Sequence, residues 1–284
     1  MLAGIGIATA MFVFLPVLTG WPVSWVVAFY VSLLCVSQYM SSVTSLYFAI
    51  PGETSSIPAA KESNNLIKAG QLNAAMSLCS LGSLLGSLLA ISIFIAVGTH
   101  ADTIVLFFKS SVQATIMMIA AILVMFSGSN RDLPNISLSM LGYGMGQVGY
   151  NPFTNIEFVT FGNDVLRSGI PIAPALVGIW IIPMIFRELT ETSDLRRNLP
   201  EYNIMDGVRY IPQQLGTMFR GSMIGSLLGL VPGLSFVLSS SVSYFVEKTY
   251  RRVFPSKLGT PLHAVVASET ANNAGILTML IPLF

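Results

Sequence analysis

The sequence predicts an all-α, polytopic membrane protein, and three observations predict it. Hydrophobic residues make up 53% of the 284, and charged residues only 10%. A soluble domain carries about 25% charged residues, so this chain cannot cover a globule of its size with polar side chains. The apolar residues fall in long uncharged runs, as a bilayer of about 20 residues' helical thickness requires. The runs also lack the period-two alternation of barrel strands, which leaves helices as the way to satisfy backbone groups in lipid.

The runs are Met1–Leu18, Val23–Ile50, Ala74–Val97, Thr103–Phe126, Ile136–Tyr150, Ile170–Phe186, Gly221–Val246 and Ala264–Phe284. The first has no basic residue before it, and none occurs until Lys61, so it is a poor signal peptide. Gly82 and Gly86 form a small-xxx-small face suited to close helix packing. Cys35 and Cys79 lie in separate apolar runs and read as small core residues.

Polar segments separate the runs, and their basic residues assign sides. Arg187, Arg196, Arg197 and Arg209 place 187–214 inside, and Lys248, Arg251, Arg252 and Lys257 place 247–263 there too. The run Gly221–Val246 must therefore enter and return, turning at Pro232-Gly233. Its two arms are about a dozen residues each, too short to span at about 1.5 Å per residue. Counting backwards puts 151–169 outside, 127–135 inside, 98–102 outside and 53–73 inside. Of the 14 Lys and Arg, only Lys109 and Arg167 then fall elsewhere. Met1–Leu18 becomes the returning arm of another hairpin, with its tip near Ala3-Gly4-Ile5-Gly6. Two tips entering from opposite faces predict an inverted-repeat topology with re-entrant Pro-Gly hairpins and an incomplete second repeat. The expected division is a first repeat over 1–186, a cytoplasmic linker over 187–214 and the start of a second repeat over 215–284.

Three polar stretches at membrane depth are candidate sites. At Pro232, Gly233 and Ser235, a helix start inside the membrane would offer N–H donors to an anion; a Pro-kinked helix whose serines bond their own backbone is the alternative. Gly52, Glu53, Thr54, Ser55 and Ser56 close an apolar helix with three hydroxyls in a row, hard oxygens that suit a carboxylate's surroundings or Na⁺. An ordinary helix exit has the same composition. Glu269, Asn272 and Asn273 share roughly one side of a helix and together offer donors and acceptors, unless the helix begins later with Asn273 as its cap. Glu269 reads as the holder of a cation or a proton, since it would repel a carboxylate.

Enzyme readings lack their residues. The aspartates sit in loops or at span ends, and the two histidines, His100 and His263, flank runs, so neither an aspartyl nor a Ser/His intramembrane protease is assembled. A balance of 14 Lys and Arg against 13 Asp and Glu gives no electrostatic footprint for nucleic acid.

In order along the chain stand Ala3-Gly4-Ile5-Gly6, Ile50-Pro51-Gly52-Glu53-Thr54-Ser55-Ser56, and Gly146–Thr154 with Asn151-Pro152-Phe153. Phe158–Gly162, Leu166–Ile170, Gly229–Leu234, Tyr244–Lys248 and Ser268–Ala274 follow. With these motifs the sequence resembles the large membrane subunit of the tripartite tricarboxylate transporters, from end to end. The resemblance implies an inner-membrane secondary transporter subunit that takes up small carboxylates by symport with Na⁺ or H⁺, without other cofactors. It implies two partners, a small membrane subunit and a periplasmic substrate-binding protein. The family pattern has Pro where Ala3 stands and Gly where Ser235 stands. It also has an arm before residue 1 and further helices after Phe284, so the chain is expected to be part of a longer protein. The other reading is a non-transporting membrane scaffold, or a truncated remnant, that only assembles with partners.

Overall fold

A computed structural model describes residues 14–97, 109–126, 132–151, 154–171, 203–231 and 236–278, with a few single positions between them. The expected first tip at residues 3–6 and the second at Pro232, Gly233 and Ser235 lie outside the described residues.

Where they are described, Val23–Ile50, Ala74–Val97, Thr103–Phe126, Ile136–Tyr150, Gly221–Val246 and Ala264–Phe284 are mainly helical. In chain order α1 is Val23–Phe48, a 3-10 turn covers Thr54–Ser56, α2 is Ile57–Lys68, and α3 is Leu72–Val97. α4 is Ser110–Phe126 and α5 is Asp132–Gln147. Short strands β1 (Gly149–Asn151) and β2 (Ile156–Phe158) precede the one-turn α6 (Asp164–Arg167). Then come α7 (Met205–Val208), α8 (Ile211–Gly229), α9 (Phe236–Val253) and α10 (Thr260–Thr278). Among the described helices, α1 and α3 are long and apolar enough to cross a membrane.

Local chemistry explains the boundaries. α1 ends at Ala49, which adopts φ 54°, and Pro51 keeps the chain from resuming the helix. Pro58 and Pro212 sit in the first turns of α2 and α8, where their missing N–H is no loss. Gly259, at φ 79°, turns the chain into α10.

α10 is the axis of the molecule, buried from Leu262 to Thr278. α8, α3 and α9 pack most extensively on it, and α2 and α1 complete the ring. The packing against α8 is backbone on backbone. A Cβ built on Gly225 would lie 2.2 Å from the Ala271 carbonyl oxygen, on Gly221 2.6 Å from that of Ala267, and on Gly229 2.5 Å from that of Gly275. On the α3 side, Gly82 and Gly86 admit Thr270 in the same way, as their small-xxx-small spacing predicts. One apolar cluster, including Leu46, Leu66, Leu78, Met218, Leu262, Val265 and Val266, fills the first half of α10. Ala90, Ala274 and Leu277 close the other end. Between them α10 carries the polar band 268–273.

Several features go beyond what the sequence specifies. α8 and α9 are 19 and 18 residues long, against the dozen expected of each hairpin arm, because both helices extend into the polar flanks. At about 1.5 Å per residue, α8 is about 28 Å long, close to the hydrocarbon thickness. The described end of the segment 187–214 packs against α3. Gly207 lies so close to Ser77 of α3 that a Cβ would sit 2.3 Å from the serine's own, and Asn73 Nδ2 donates to Asp206 Oδ2 at 3.4 Å. The segment expected outside holds a small antiparallel hairpin, Tyr150 opposite Glu157, braced by an Arg167–Glu157 ion pair of 2.9 Å.

At the far end of α9, buried Glu247 accepts from Arg220 at 2.8 and 2.9 Å and from Arg251 at 2.9 Å, while Thr217 links it to His263 Nδ1. This network ties α8, α9 and α10 together where the sequence reading places the cytoplasm. A labelling experiment checks the sidedness. In a background without Cys35 and Cys79, cysteines at 61 and 167 are expected to react with a membrane-impermeant reagent from opposite faces. Reaction of both from one face overturns the assignment.

Candidate functional site

The polar band of α10 meets a polar face of α1. Gln38, Ser41, Ser42 and Ser45 recur at helical spacing along α1, and all are buried. They form the wall against which the chain folds back after Ala49. Gly52 permits that return, because a Cβ there would lie 2.9 Å from the Ser41 Cα.

Ser56 holds the returning loop. Ser45 donates to it at 2.8 Å, Ser41 lies at 2.8 Å, and Ser56 itself donates to the Glu53 carbonyl at 2.9 Å. Glu53 and Ser56 also cap the 3-10 turn reciprocally. Ser55 points the other way and donates to Gln38 Oε1 at 2.9 Å. Thr54 is half-buried at the start of the turn. The resulting loop carries two serines with different partners: Ser56 is held by Ser41 and Ser45, and Ser55 by Gln38, the residue that also receives Asn272 of α10.

Gln38 is the hub. Its Nε2 donates to Glu53 Oε2 at 2.5 Å, and its Oε1 also receives Asn272 Nδ2 at 2.5 Å. One turn along α1, Ser42 contacts Glu269 Oε2 and also approaches the Gln38 carbonyl at 3.1 Å. α9 joins from a third side. Ser240 donates to the Ser55 carbonyl at 2.5 Å and lies 2.7 Å from Ser268. Ser243 donates to the Ala267 carbonyl at 3.0 Å.

The candidates expected from sequence therefore divide. Gly52, Ser55, Ser56, Glu269 and Asn272 converge where α1, the 3-10 turn and α10 meet. Asn273 turns toward α3 and donates to Ser83 Oγ at 2.8 Å and to the Glu269 carbonyl at 3.1 Å. It lies well inside α10, which begins at Thr260, so it does not cap that helix. Gln38, Ser41, Ser42, Ser45, Ser83 and Ser268 were not anticipated. For the α1 residues a signal existed: four polar residues at i, i+3, i+4 and i+7 on one face of an apolar helix.

Two buried oxygens of this cluster have no hydrogen-bond partner, Glu269 Oε1 and Asn272 Oδ1; neither has Ser239 Oγ on α9, beside Gly275. A buried, bare acceptor is costly, and a bound ligand would relieve that cost. Every chemically active group here is an oxygen or an amide; among the described residues no group of three or more His, Cys, Asp or Glu is arranged to hold a metal. The arrangement offers hydroxyl, amide and carboxylate groups that can bind and release a polar ligand.

The model of the tripartite tricarboxylate transporter TctA family matches residues 1–284. The chain belongs to this family. The family is one of membrane transporter components, and the match agrees with the motif resemblance over the whole chain. A curated relative, the "Uncharacterized 52.8 kDa protein in TAR-I ttuC' 3'region" of Agrobacterium vitis, is 28% identical over 252 residues, 87% of this chain and 49% of that protein. The chain thus spans about half the length of the curated relative it matches. No solved structure matches it. In the family's terms, the motif Ile50–Ser56 builds the return loop, and the motif Ser268–Ala274 is the polar band of α10.

Proposed function

We propose that the chain is part of the membrane-spanning subunit of an uptake transporter for small carboxylates, driven by an Na⁺ or H⁺ gradient. The substrate is delivered by a periplasmic binding protein, and a small membrane subunit completes the assembly in the inner membrane. The expected division, with repeats over 1–186 and 215–284 joined by 187–214, belongs to this reading, as does a second half-site from Pro232, Gly233 and Ser235.

The observation that carries the proposal is the buried cluster at the α1–α10 crossing, with its unpartnered oxygens on Glu269 and Asn272. Polar groups at membrane depth are expensive and mark substrate or ion pathways. Hydroxyls can also turn either a hydrogen or a lone pair toward a ligand, so one site can hold an anion and its accompanying cation.

Uptake of labelled carboxylates by vesicles holding the complete assembly tests the proposal. Uptake that collapses when the ion gradient is removed is the expected result, and no uptake of any carboxylate favours the scaffold reading. Within that assay the two loop serines should separate. Ser55→Ala is expected to raise the half-saturating carboxylate concentration several-fold with normal amounts of folded protein, since a buried hydrogen bond contributes about 1 kcal/mol. Ser56→Ala should instead lower thermal stability, because it leaves Ser41 and Ser45 without their acceptor. Unchanged half-saturation in Ser55→Ala removes Ser55 from the site.

A further inference from the structure

The direction of one hydrogen-bond chain is dictated by chemistry. An ionised carboxylate only accepts, so Gln38 must turn its Nε2 to Glu53 Oε2. Its Oε1 then faces the opposite way, where Ser55 and Asn272 both donate to it. Asn272 has therefore committed its Nδ2 to Gln38, which leaves its Oδ1 buried and bare. The second bare oxygen, Glu269 Oε1, lies one turn back on the same helix, and its companion Oε2 is in contact with Ser42. Both residues are fully buried.

Two adjacent acceptors without a donor suit a cation and oppose an anion. A proton on Glu269 Oε1 would donate to Asn272 Oδ1 and so also engage both oxygens; it is the alternative that the acid arm of the test separates from a metal cation. The single carboxylate supplies one negative charge, while divalent ions are commonly held by several carboxylates or by substrate phosphates. We infer that Glu269 Oε1 and Asn272 Oδ1 bind a dehydrated monovalent cation, Na⁺, at the crossing of α1 and α10, with Ser42 and Gln38 as the residues that aim them.

The inference deepens the transport reading and, as a coupling site, rests on it. A bare Glu269 repels an incoming carboxylate; a cation on it cancels that charge. Cation binding therefore prepares the neighbouring hydroxyls for the anion, and the order of binding is cation first.

The test uses the complete assembly purified in detergent, with pH fixed for the salt comparison and lowered in a separate Na⁺-free arm. Its melting midpoint is compared in NaCl and in choline chloride of equal ionic strength, and saturable binding of radioactive Na⁺ is measured directly. Na⁺ is expected to raise the midpoint by about 5 °C at saturation. Glu269→Gln should abolish that rise, and Asn272→Ala should shift it to at least about tenfold higher Na⁺. If either variant fails to fold, radioactive Na⁺ on the unaltered assembly decides alone: saturable binding supports the site, and none overturns it. Equal midpoints in the two salts, stabilisation by acid in place of Na⁺, or Na⁺ protection retained in both variants each overturn it. An assembly that takes up carboxylate with no Na⁺ effect sinks the ion site and keeps transport. One that binds Na⁺ through these residues yet takes up no carboxylate keeps the ion site and sinks transport.

Discussion

Gly225→Val is expected to eliminate folded protein. The new Cβ would meet the Ala271 carbonyl oxygen at 2.2 Å and the Ala271 Cα at 2.7 Å. Both obstacles are backbone, so no rotamer change relieves them, and α8 must leave α10. Overpacking a core typically costs about 1–3 kcal/mol when side chains can yield; here they cannot, and the loss should exceed that range. Gly142→Ala in α5 is the matched control. Nothing lies within 4 Å of its would-be Cβ, so that change should be neutral, or stabilising by up to about 1 kcal/mol through helix propensity. Detergent-solubilised yield and melting midpoint distinguish the two. A well-folded Gly225→Val protein would show that the α8–α10 contact is not as close as described.

The second large effect concerns ion dependence. Glu269→Gln keeps the shape of the side chain and a partner for Ser42 while removing the charge. Charge-assisted contacts are worth about 1.5–3 kcal/mol, so the concentration of driving ion for half-maximal uptake should rise by roughly ten- to a hundredfold. Half-saturation for carboxylate at saturating ion should move much less. Asn273→Ala behaves differently. Its amide braces Ser83 and the Glu269 carbonyl, and losing it loosens α10 against α3 beneath the whole band. Both half-saturation values should rise together. The reverse pattern, with carboxylate affinity lost in Glu269→Gln and ion dependence intact, would remove Glu269 from ion handling.

The sequence already spoke for much of this. Glu269, Asn272 and Asn273 were visible because charged and amide groups stand out in an apolar run. Ile50–Ser56 was visible because Pro-Gly followed by hydroxyls ends a helix. The α1 wall of Gln38, Ser41, Ser42 and Ser45 was not. Serine is nearly neutral in hydropathy, so a run can stay apolar on average while one face of it is polar. The separate duties of Ser55 and Ser56 depend on which way a single 3-10 turn faces, and spacing carries no such information. Nor does spacing show that Asn272 and Asn273, neighbours in sequence, reach different helices. α8 and α9 run past the ends of the apolar run because Glu247, Arg220 and Arg251 neutralise one another and let both helices continue.

The glycine row of α8 bears on motion as well as on folding. Contacts between backbones have no slack: α8 and α10 are keyed together like teeth, and Gly82 and Gly86 key α3 to the same block. Against α1 and its return loop, hydroxyl and amide contacts that can exchange partners stand beside apolar side-chain contacts such as that of Leu46. Any alternation in access to the site therefore has a natural slip plane. The block of α3, α8 and α10 would move as one rigid piece past α1, with Gln38 and Ser42 changing partners as they pass Asn272 and Glu269.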